Sequence, residues 1–597
     1  MQGFVPQRVI VDRRDGGDLL LRSPLPLPPV ARCTGDWLHR WAAEAPKRVA
    51  VAERSGEGWR EVAYADLLAQ VRAVAAGLLA RGIVPGGRIA FLSGNGVDHL
   101  ILAQAAMYAG IVAVPLAEQY ALIPEAVGRL QHALRLARPR AVFAADAGAV
   151  ARVLDLPELD GVAVIAAQGG GRGVVTMDDL RRGGADADAD AAHAAVDHGT
   201  VAKILFTSGS SSDPKGVVTT QGMMCVNQAQ VAAVWPFLSA RPPRLMDWLP
   251  WNHVFGGSKN VNLILCHGGT LRIDDGKPTA AAFGRSLRNI AEHAGTLSFN
   301  VPVAYAMLVE AAARDAGLRR AFFGDLDLIF YAGASLPQPV WEALERFSLE
   351  ETGRLPLMAS SWGMTETAPA CVMVHEPIGR SGVIGVPLPG VEVRLIPDGD
   401  MRCEMRVRGP NVMPGYLDDP ARTAEAFDDQ GFLITGDAVR FADPDDPSRG
   451  LAFDGRVAED FKLATGTWVQ AGRLRLDVLR VLQGMAQDVV ICGHDRAEIG
   501  LFVFPLPARA AGADQAQGVL VAPALMAGVE AALRRLNAEA TGSSRRITRA
   551  LILAEAPSLA EHEITDKGSL NIRRVLTRRA TLVDRLYDNE DPGLIRV

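Results

Sequence analysis

Short apolar runs rich in β-branched residues alternate along this chain with stretches in which alanine, leucine and arginine recur at helical spacing. Residues 88–92, 141–145, 162–165 and 326–331 read as strands; residues 65–81 and 339–347 read as amphipathic helices. Alternation of this kind predicts α/β layers around largely parallel sheets. The apolar stretch 100–116 is short for a membrane span, contains Gln104 and breaks at Gly110 and Pro115. It reads as a buried helix followed by a buried strand. Residues 183–190 are small, polar and of low complexity, which predicts a mobile surface connection. Their alternating aspartates lack the closing glutamate of a calcium loop.

From about residue 385 the pattern changes. Residues 391–395 and 404–408 alternate by two, as half-buried strands do, and glycines punctuate them. A second change follows Asp454-Gly455-Arg456. It places a domain boundary there, with an N-terminal domain over 1–455 and a small α+β domain over 456–597. The β-rich part of the first covers about 385–455.

A chain of 597 residues is too long for one core. With 62 basic and 68 acidic residues the formal net charge is −6, which argues against a nucleic-acid binder that works through bulk charge. The six cysteines are scattered, without a C-x-x-C pair or ligand-like histidine spacing, so reduced thiols in a cytoplasmic protein are expected. The N-terminus lacks the layout of a signal peptide.

Candidate chemistry concentrates in five segments. The first, residues 204–218, delivers an apolar strand into Thr207-Ser208-Gly209-Ser210 and then Lys215. A loop with so little side-chain bulk can wrap N–H groups and hydroxyls around phosphate oxygens, although such loops are often plain turns. The second, residues 359–367, holds Trp362, Gly363, Met364, Thr365 and Glu366: an aromatic plane, a phosphate-binding hydroxyl and a carboxylate able to hold Mg²⁺. In the third, Asp437 follows a Thr-Gly turn, where an acid can accept from both ribose hydroxyls. The fourth begins at Gly455-Arg456 and runs through Gly466-Thr467-Trp468. The fifth surrounds Lys567. Taken singly, the last three also read as a turn, a surface charge pair and a C-terminal loop.

Together, in this order, the five segments resemble the signature of the acyl-adenylate-forming ligases, the superfamily of acyl- and aryl-CoA synthetases. Within it the chain resembles the feruloyl-CoA synthase group, through residues 37–42, 92–99, 249–257 and above all 458–469. The resemblance implies a multidomain α/β fold: a large N-terminal domain of two α/β subdomains plus a β-rich one, and a small mobile α+β C-terminal domain that swings between two orientations. It implies ATP, Mg²⁺ and coenzyme A as cofactor and cosubstrates, a small carboxylic acid as partner, no nucleic acid and no membrane, with a homodimer left open. A hydroxycinnamate is the expected acid. A fatty or benzoic acid, a carrier-loading acyl-AMP ligase and a non-catalytic relative remain as alternatives.

The resemblance also assigns roles. Glu366 would hold Mg²⁺. Thr365, Lys215 and residues 207–210 would meet the phosphates. Gly333, Ala334, Ser335 and Trp362 would flank the adenine, Gly363 and Met364 would belong to the same nucleotide site, and Asp437 with Arg456 would clamp the ribose. His253, which by itself reads as a structural histidine, would stand with Val254, Phe255, Gly256 and Tyr331 at the acyl pocket. Gly466, Thr467 and Trp468 would meet coenzyme A, and Lys567 would supply the late catalytic cation. The chain departs from the family at Ser211-Ser212, where Thr-Gly is usual. It departs again at Ser569, the usual lysine position, which leaves Lys567 as candidate and Arg573 in reserve. Thr467 stands where long-chain relatives often carry glutamate, which favours the hydroxycinnamate group.

Overall fold

The computed structural model describes residues 4–597 except 15, 170, 172, 208–213, 334, 400, 511, 541, 559–560, 562 and 565–569, and the side chain of 508. Two large sheets organise the N-terminal part. The first has seven strands, in the order Lys215–Thr220, Val201–Thr207, Val112–Pro115, Arg88–Phe91, Ala141–Asp146, Ala163–Gln168 and Val174–Thr176. All its pairings are parallel except the first, an antiparallel pair that sets Thr207 opposite Lys215. The helix Tyr64–Ala80 and the helix Val97–Tyr108, buried at every position but Asp98, pack nearby, the latter leading into the buried strand Val112–Pro115 as its apolar run predicts. No helix among the described residues is long and apolar enough to cross a membrane.

The second sheet has fifteen strands. Its parallel run includes Arg244–Asp247, Leu297–Asn300, Leu328–Tyr331 and Leu357–Gly363. Beyond Gly363 the sheet turns antiparallel and continues through Val383–Pro387, Leu451–Arg456, Leu433–Phe441, Cys403–Arg408 and Glu392–Pro397. The period-two sequences at 391–395 and 404–408 lie on neighbouring strands of this part, and Val393, Leu395, Met405 and Val407 face inward. Large N-terminal and small C-terminal parts give the multidomain α/β fold expected from the resemblance.

From Phe461 onward the apolar residues form two clusters of their own. A four-stranded sheet, Ala486–Cys492, Ile499–Pro505, Ile547–Ile552 and Ile595–Arg596, separates them. Ala471–Val481 and Pro523–Ala538 pack in one cluster; Ile572–Arg578 and Ala580–Leu586 contribute to the other.

One sequence expectation fails. The low-complexity stretch at 183–190 is not a simple surface connection, because Asp186–Ala194 is an α-helix. Alanine favours helix, and aspartates in the first turn complement the helix dipole. Tertiary contacts complete the fixation: Asp190 accepts from Arg72 and from the Tyr108 hydroxyl, and Ala189 is fully buried. All six cysteines are free.

Candidate active site

The C-terminal ends of the parallel strands Leu328–Tyr331 and Leu357–Gly363 open onto one region, the usual place for a ligand site in an α/β sheet. Trp362, Gly363, Met364, Thr365 and Glu366 follow one another there. Gly363 sits where the strand meets its antiparallel neighbour; a Cβ on it would lie 1.9 Å from the Pro369 carbonyl oxygen, so only glycine fits. The chain then turns through a short 3-10 helix, Thr365–Thr367, which buries Thr365 and Glu366.

Three distant segments close around this turn. Tyr416 donates its hydroxyl to Glu366 Oε1 at 3.0 Å, and its ring lies 4.7 Å from Lys215 Nζ. Tyr416 therefore touches both, with Lys215 over its ring and Glu366 at its hydroxyl. The pairing holds because residues 413–417 lie along the strand Lys215–Thr220: Leu417 N–H donates to the Gly216 carbonyl, and Met413 N–H to the Glu366 carbonyl. On the other side, the Trp362 indole N–H donates to Asp437 Oδ2 at 2.8 Å. Arg456, opposite Asp437 in register, brings Nε to 3.5 Å from Oδ1. Burial pushes the Asp437 carboxyl above the usual carboxylate range, while Arg456 and the indole N–H pull it back and nearby Glu366 adds repulsion. Thr207, Lys215, Thr365, Glu366, Trp362, Asp437 and Arg456 thus come to one place. Ser208, Gly209, Ser210, Ser211, Ser212, Ala334 and Lys567 lie outside the described residues.

Gly333 and Ser335 are exposed just beyond Tyr331. A cleft of about 260 Å³ adjoins Ser335, lined also by Arg380, Ser381, Arg440 and Phe453 among others. Tyr331 is buried and its hydroxyl oxygen accepts from Gly382 N–H at 3.4 Å.

The segment 249–257 is held from residues 92–99. Asn95 donates to the Leu249 carbonyl and accepts from Trp251 N–H; His99 stacks on Phe91 and meets Trp251 edge-on. Burial pushes the His99 imidazole down to about 4, so it is neutral at physiological pH. His253 Nδ1 accepts from Phe255 N–H at 3.2 Å. Phe255 and the rest of Phe255–Asn260 form a π-helix whose six residues are all buried. The Phe255 ring packs 5.6 Å from Phe330 and 6.2 Å from Phe299, on one sheet face with Val254 and Gly256 nearby in the same buried turn.

Gly466, Thr467 and Trp468 form the exposed end of a small hairpin, Phe461–Lys462 with Trp468–Val469. Trp468 is 48% exposed, unusual for so large an apolar surface. Near Lys567, Ile564 bridges to Leu570, and buried Glu563 is forked by Arg579 at 2.7 and 2.8 Å. Arg573 is exposed on the helix that follows.

Sequence reading missed Tyr416 and Arg402. Tyr416 lies in Met413-Pro414-Gly415-Tyr416, where only the turn residues carry a local signal. Arg402 is 1% exposed and binds Asp398 at 2.9 Å and Asp460 at 2.6 Å, tying the β-rich part to the segment that follows Arg456. An arginine in a strand-rich stretch reads as a surface residue, so nothing local marks it.

The AMP-binding enzyme family matches residues 38–417, and the AMP-binding enzyme C-terminal domain matches residues 463–591. The chain belongs to this family, the acyl-adenylate-forming ligases. Feruloyl-CoA synthase of Amycolatopsis sp. is 30% identical over 415 residues, 68% of this chain and 75% of that protein. The long-chain-fatty-acid–CoA ligase FadD15 of Mycobacterium bovis is 26% identical over 585 residues, 89% of this chain and 93% of that one. In fold, the chain is similar to the anthranilate CoA ligase AuaEII in complex with anthranoyl-AMP. That match has a TM-score of 0.71 and 18% identity, and covers 94% of this chain and 99% of that one. It is also similar to O-succinylbenzoate CoA synthetase of Bacillus subtilis in complex with AMP, with a TM-score of 0.67 and 18% identity, over 90% of this chain and 97% of that one.

Proposed function

We propose that the protein is an ATP-dependent acid–CoA ligase that works through an acyl-AMP intermediate, with ferulate or a related hydroxycinnamate as its acid. The observation that carries the reading is the convergence of Trp362, Asp437 and Arg456 on one side of Glu366 with Tyr416 and Lys215 on the other. A nucleotide laid across this line meets an aromatic plane, a ribose acceptor, a carboxylate and a cation in sequence. The aromatic wall of Phe255, Phe299 and Phe330 suits a flat phenylpropenoate.

In the first half-reaction a carboxylate oxygen of the acid attacks the α-phosphorus of ATP. The bond from that phosphorus to the bridging oxygen breaks, and pyrophosphate leaves with the electron pair. In the second, the coenzyme A thiolate attacks the acyl carbon and AMP departs. AMP is a far better leaving group than oxide, which is why the acid is adenylated first. The chain's task in both steps is to hold groups in line and to oppose charge.

Asp437 would accept from the ribose hydroxyls, with Arg456 keeping its carboxylate charged. Lys215, Thr207 and Thr365 would bind phosphate oxygens. Glu366 offers a hard carboxylate oxygen beside the one Tyr416 occupies, a donor type that fits Mg²⁺; the ion bound there would neutralise phosphate charge. Lys567, carried by a mobile C-terminal domain over 456–597, would oppose charge at the α-phosphate only in the adenylating orientation. Gly466, Thr467 and Trp468 would face coenzyme A in the other. Gly455 suits a pivot: its φ is +93°, and a Cβ on it would lie 2.7 Å from the Gly472 backbone.

A panel of acids tests the reading: ferulate, p-coumarate, caffeate, benzoate and palmitate, each with ATP, Mg²⁺ and coenzyme A. Thioester formation with the hydroxycinnamates at the highest kcat/KM is the expected result. Preference for palmitate would transfer the assignment to the fatty-acid ligases, which the long match to FadD15 favours as the second reading.

A further inference from the structure

Lys259 is the most anomalous charge-bearing residue near the site. It is 1% exposed, within the π-helix Phe255–Asn260. A π-helical turn inside a buried helix re-aims side chains and often accompanies function. This one is pinned from the neighbouring sheet by Lys203, whose Nζ donates to the Gly257 carbonyl at 2.6 Å. Lys259 Nζ lies 3.5 Å from the centroid of Phe330, with Trp235 and Phe299 at 5.7 and 5.8 Å. It donates to Ser361 Oγ at 3.3 Å. Among the described residues no carboxylate pairs with it, and burial drives its pKa well down. Burial without a carboxylate partner favours the neutral amine over the ammonium, and an amine has a lone pair that can accept a hydrogen bond.

Its placement points toward substrate. Phe330 and Ser361 share one face of the sheet, opposite that of Tyr331 and Trp362, near the C-terminal ends of the two strands that carry the site. Ser361 is only half-buried, so the amine stands one side chain away from accessible space. Phe255, one turn earlier on the same helix, shares the Phe330 contact.

We infer that Lys259 is a specificity-determining residue whose amine receives the distal phenolic hydroxyl of an aromatic acid lying along the Phe255–Phe330 wall. The inference deepens the hydroxycinnamate reading and rests on it. A phenol satisfies a neutral amine without bringing a second charge into an apolar box, whereas a distal carboxylate would have to be fully desolvated. A methyl-terminated alkyl chain would leave the amine without a ligand partner. A site built around such a hydrogen bond discriminates strongly against the analogue that lacks it.

The test compares p-coumarate with cinnamate, identical but for the ring hydroxyl. Wild-type kcat/KM should favour p-coumarate by about 10- to 100-fold. Lys259→Met should bring that ratio close to one. A red shift of the p-coumarate absorption band on binding to the wild type, absent with Lys259→Met, reports the same contact without turnover. A wild-type ratio near one, or an unshifted band, overturns the role of Lys259 while leaving the hydroxycinnamate class intact. If the wild type turns over neither acid but does use benzoate or palmitate, the class itself is wrong. The wild-type ratio and spectrum can overturn the role by themselves; should Lys259→Met not fold, Lys259→Leu takes its place, and a folded variant that keeps the wild-type ratio overturns the role as well.

Discussion

Replacing Asp437 by alanine removes the acceptor on which the nucleotide reading turns. Its two carboxylate oxygens face different partners: Oδ2 takes the Trp362 indole N–H at 2.8 Å, and Oδ1 lies 3.5 Å from Arg456 Nε. A ribose with vicinal hydroxyls would donate to the same carboxylate. Two charge-assisted hydrogen bonds of about 1.5–3 kcal/mol each would be lost, so AMP should bind roughly 10²- to 10⁴-fold more weakly. The fold should survive. The substitution removes a carboxyl whose ionisation burial already opposes, and leaves one indole N–H without its partner, a loss of about 1–3 kcal/mol. The assay is calorimetric titration with AMP, alongside far-UV circular dichroism and Trp fluorescence, which should change as the Trp362 indole loses its acceptor. The wild type also carries a pH signature. Because burial raises the folded pKa of Asp437, the carboxylate is protonated at higher pH than an ordinary aspartate as acid is added. Binding of adenosine, which has no phosphate to titrate, should therefore weaken on acidification before the normal carboxylate range is reached. A folded Asp437→Ala that binds AMP within a factor of about three of wild type would refute the argument, since even one such bond is worth more than that.

Three further outcomes follow from particular contacts. Glu366→Gln should depress acid-dependent pyrophosphate release and raise the Mg²⁺ concentration needed for half-maximal rate, since a neutral amide binds a hard cation poorly; an unaltered Mg²⁺ titration would make Glu366 structural. Lys567→Ala should lower pyrophosphate release by about 10²- to 10³-fold yet still convert synthetic feruloyl-AMP to the thioester at near wild-type rate. If Arg573→Ala gives that split instead, the cation comes from Arg573. Asp247 is buried against Asn260 and Leu249 N–H, and desolvation raises its carboxyl to about 7. A raised folded pKa means that stability present at low pH is lost as pH rises through that value. Asp247→Asn should therefore gain about 2 kcal/mol relative to wild type between about pH 5 and about pH 8, read as urea midpoints, and a pH-independent difference would contradict it.

The sequence by itself determined what is local. Apolar periodicity was enough to place the helix Tyr64–Ala80, the buried helix and strand at 97–115, and the alternating strands of the β-rich part, because side-chain direction repeats with backbone geometry. The ordered motifs likewise marked Trp362, Glu366, Asp437 and Arg456. Only the tertiary structure decided which of these touch. Trp362 and Asp437 are 75 residues apart, on strands with three others between them in the sheet order, so neither sequence spacing nor strand neighbourhood announces their contact. Tyr416 joins Glu366 across 50 residues through a loop that lies along the strand Lys215–Thr220, a contact with no periodicity to announce it. The stretch 183–190 reads as a connector, but its second half belongs to the helix Asp186–Ala194. That half is helical because Arg72 and Tyr108, far away in sequence, supply partners for Asp190. Lys259 shows the limit most sharply. A lysine beside glycine and serine reads as polar surface, and only the packing of Trp235, Phe299 and Phe330 around it takes it out of water.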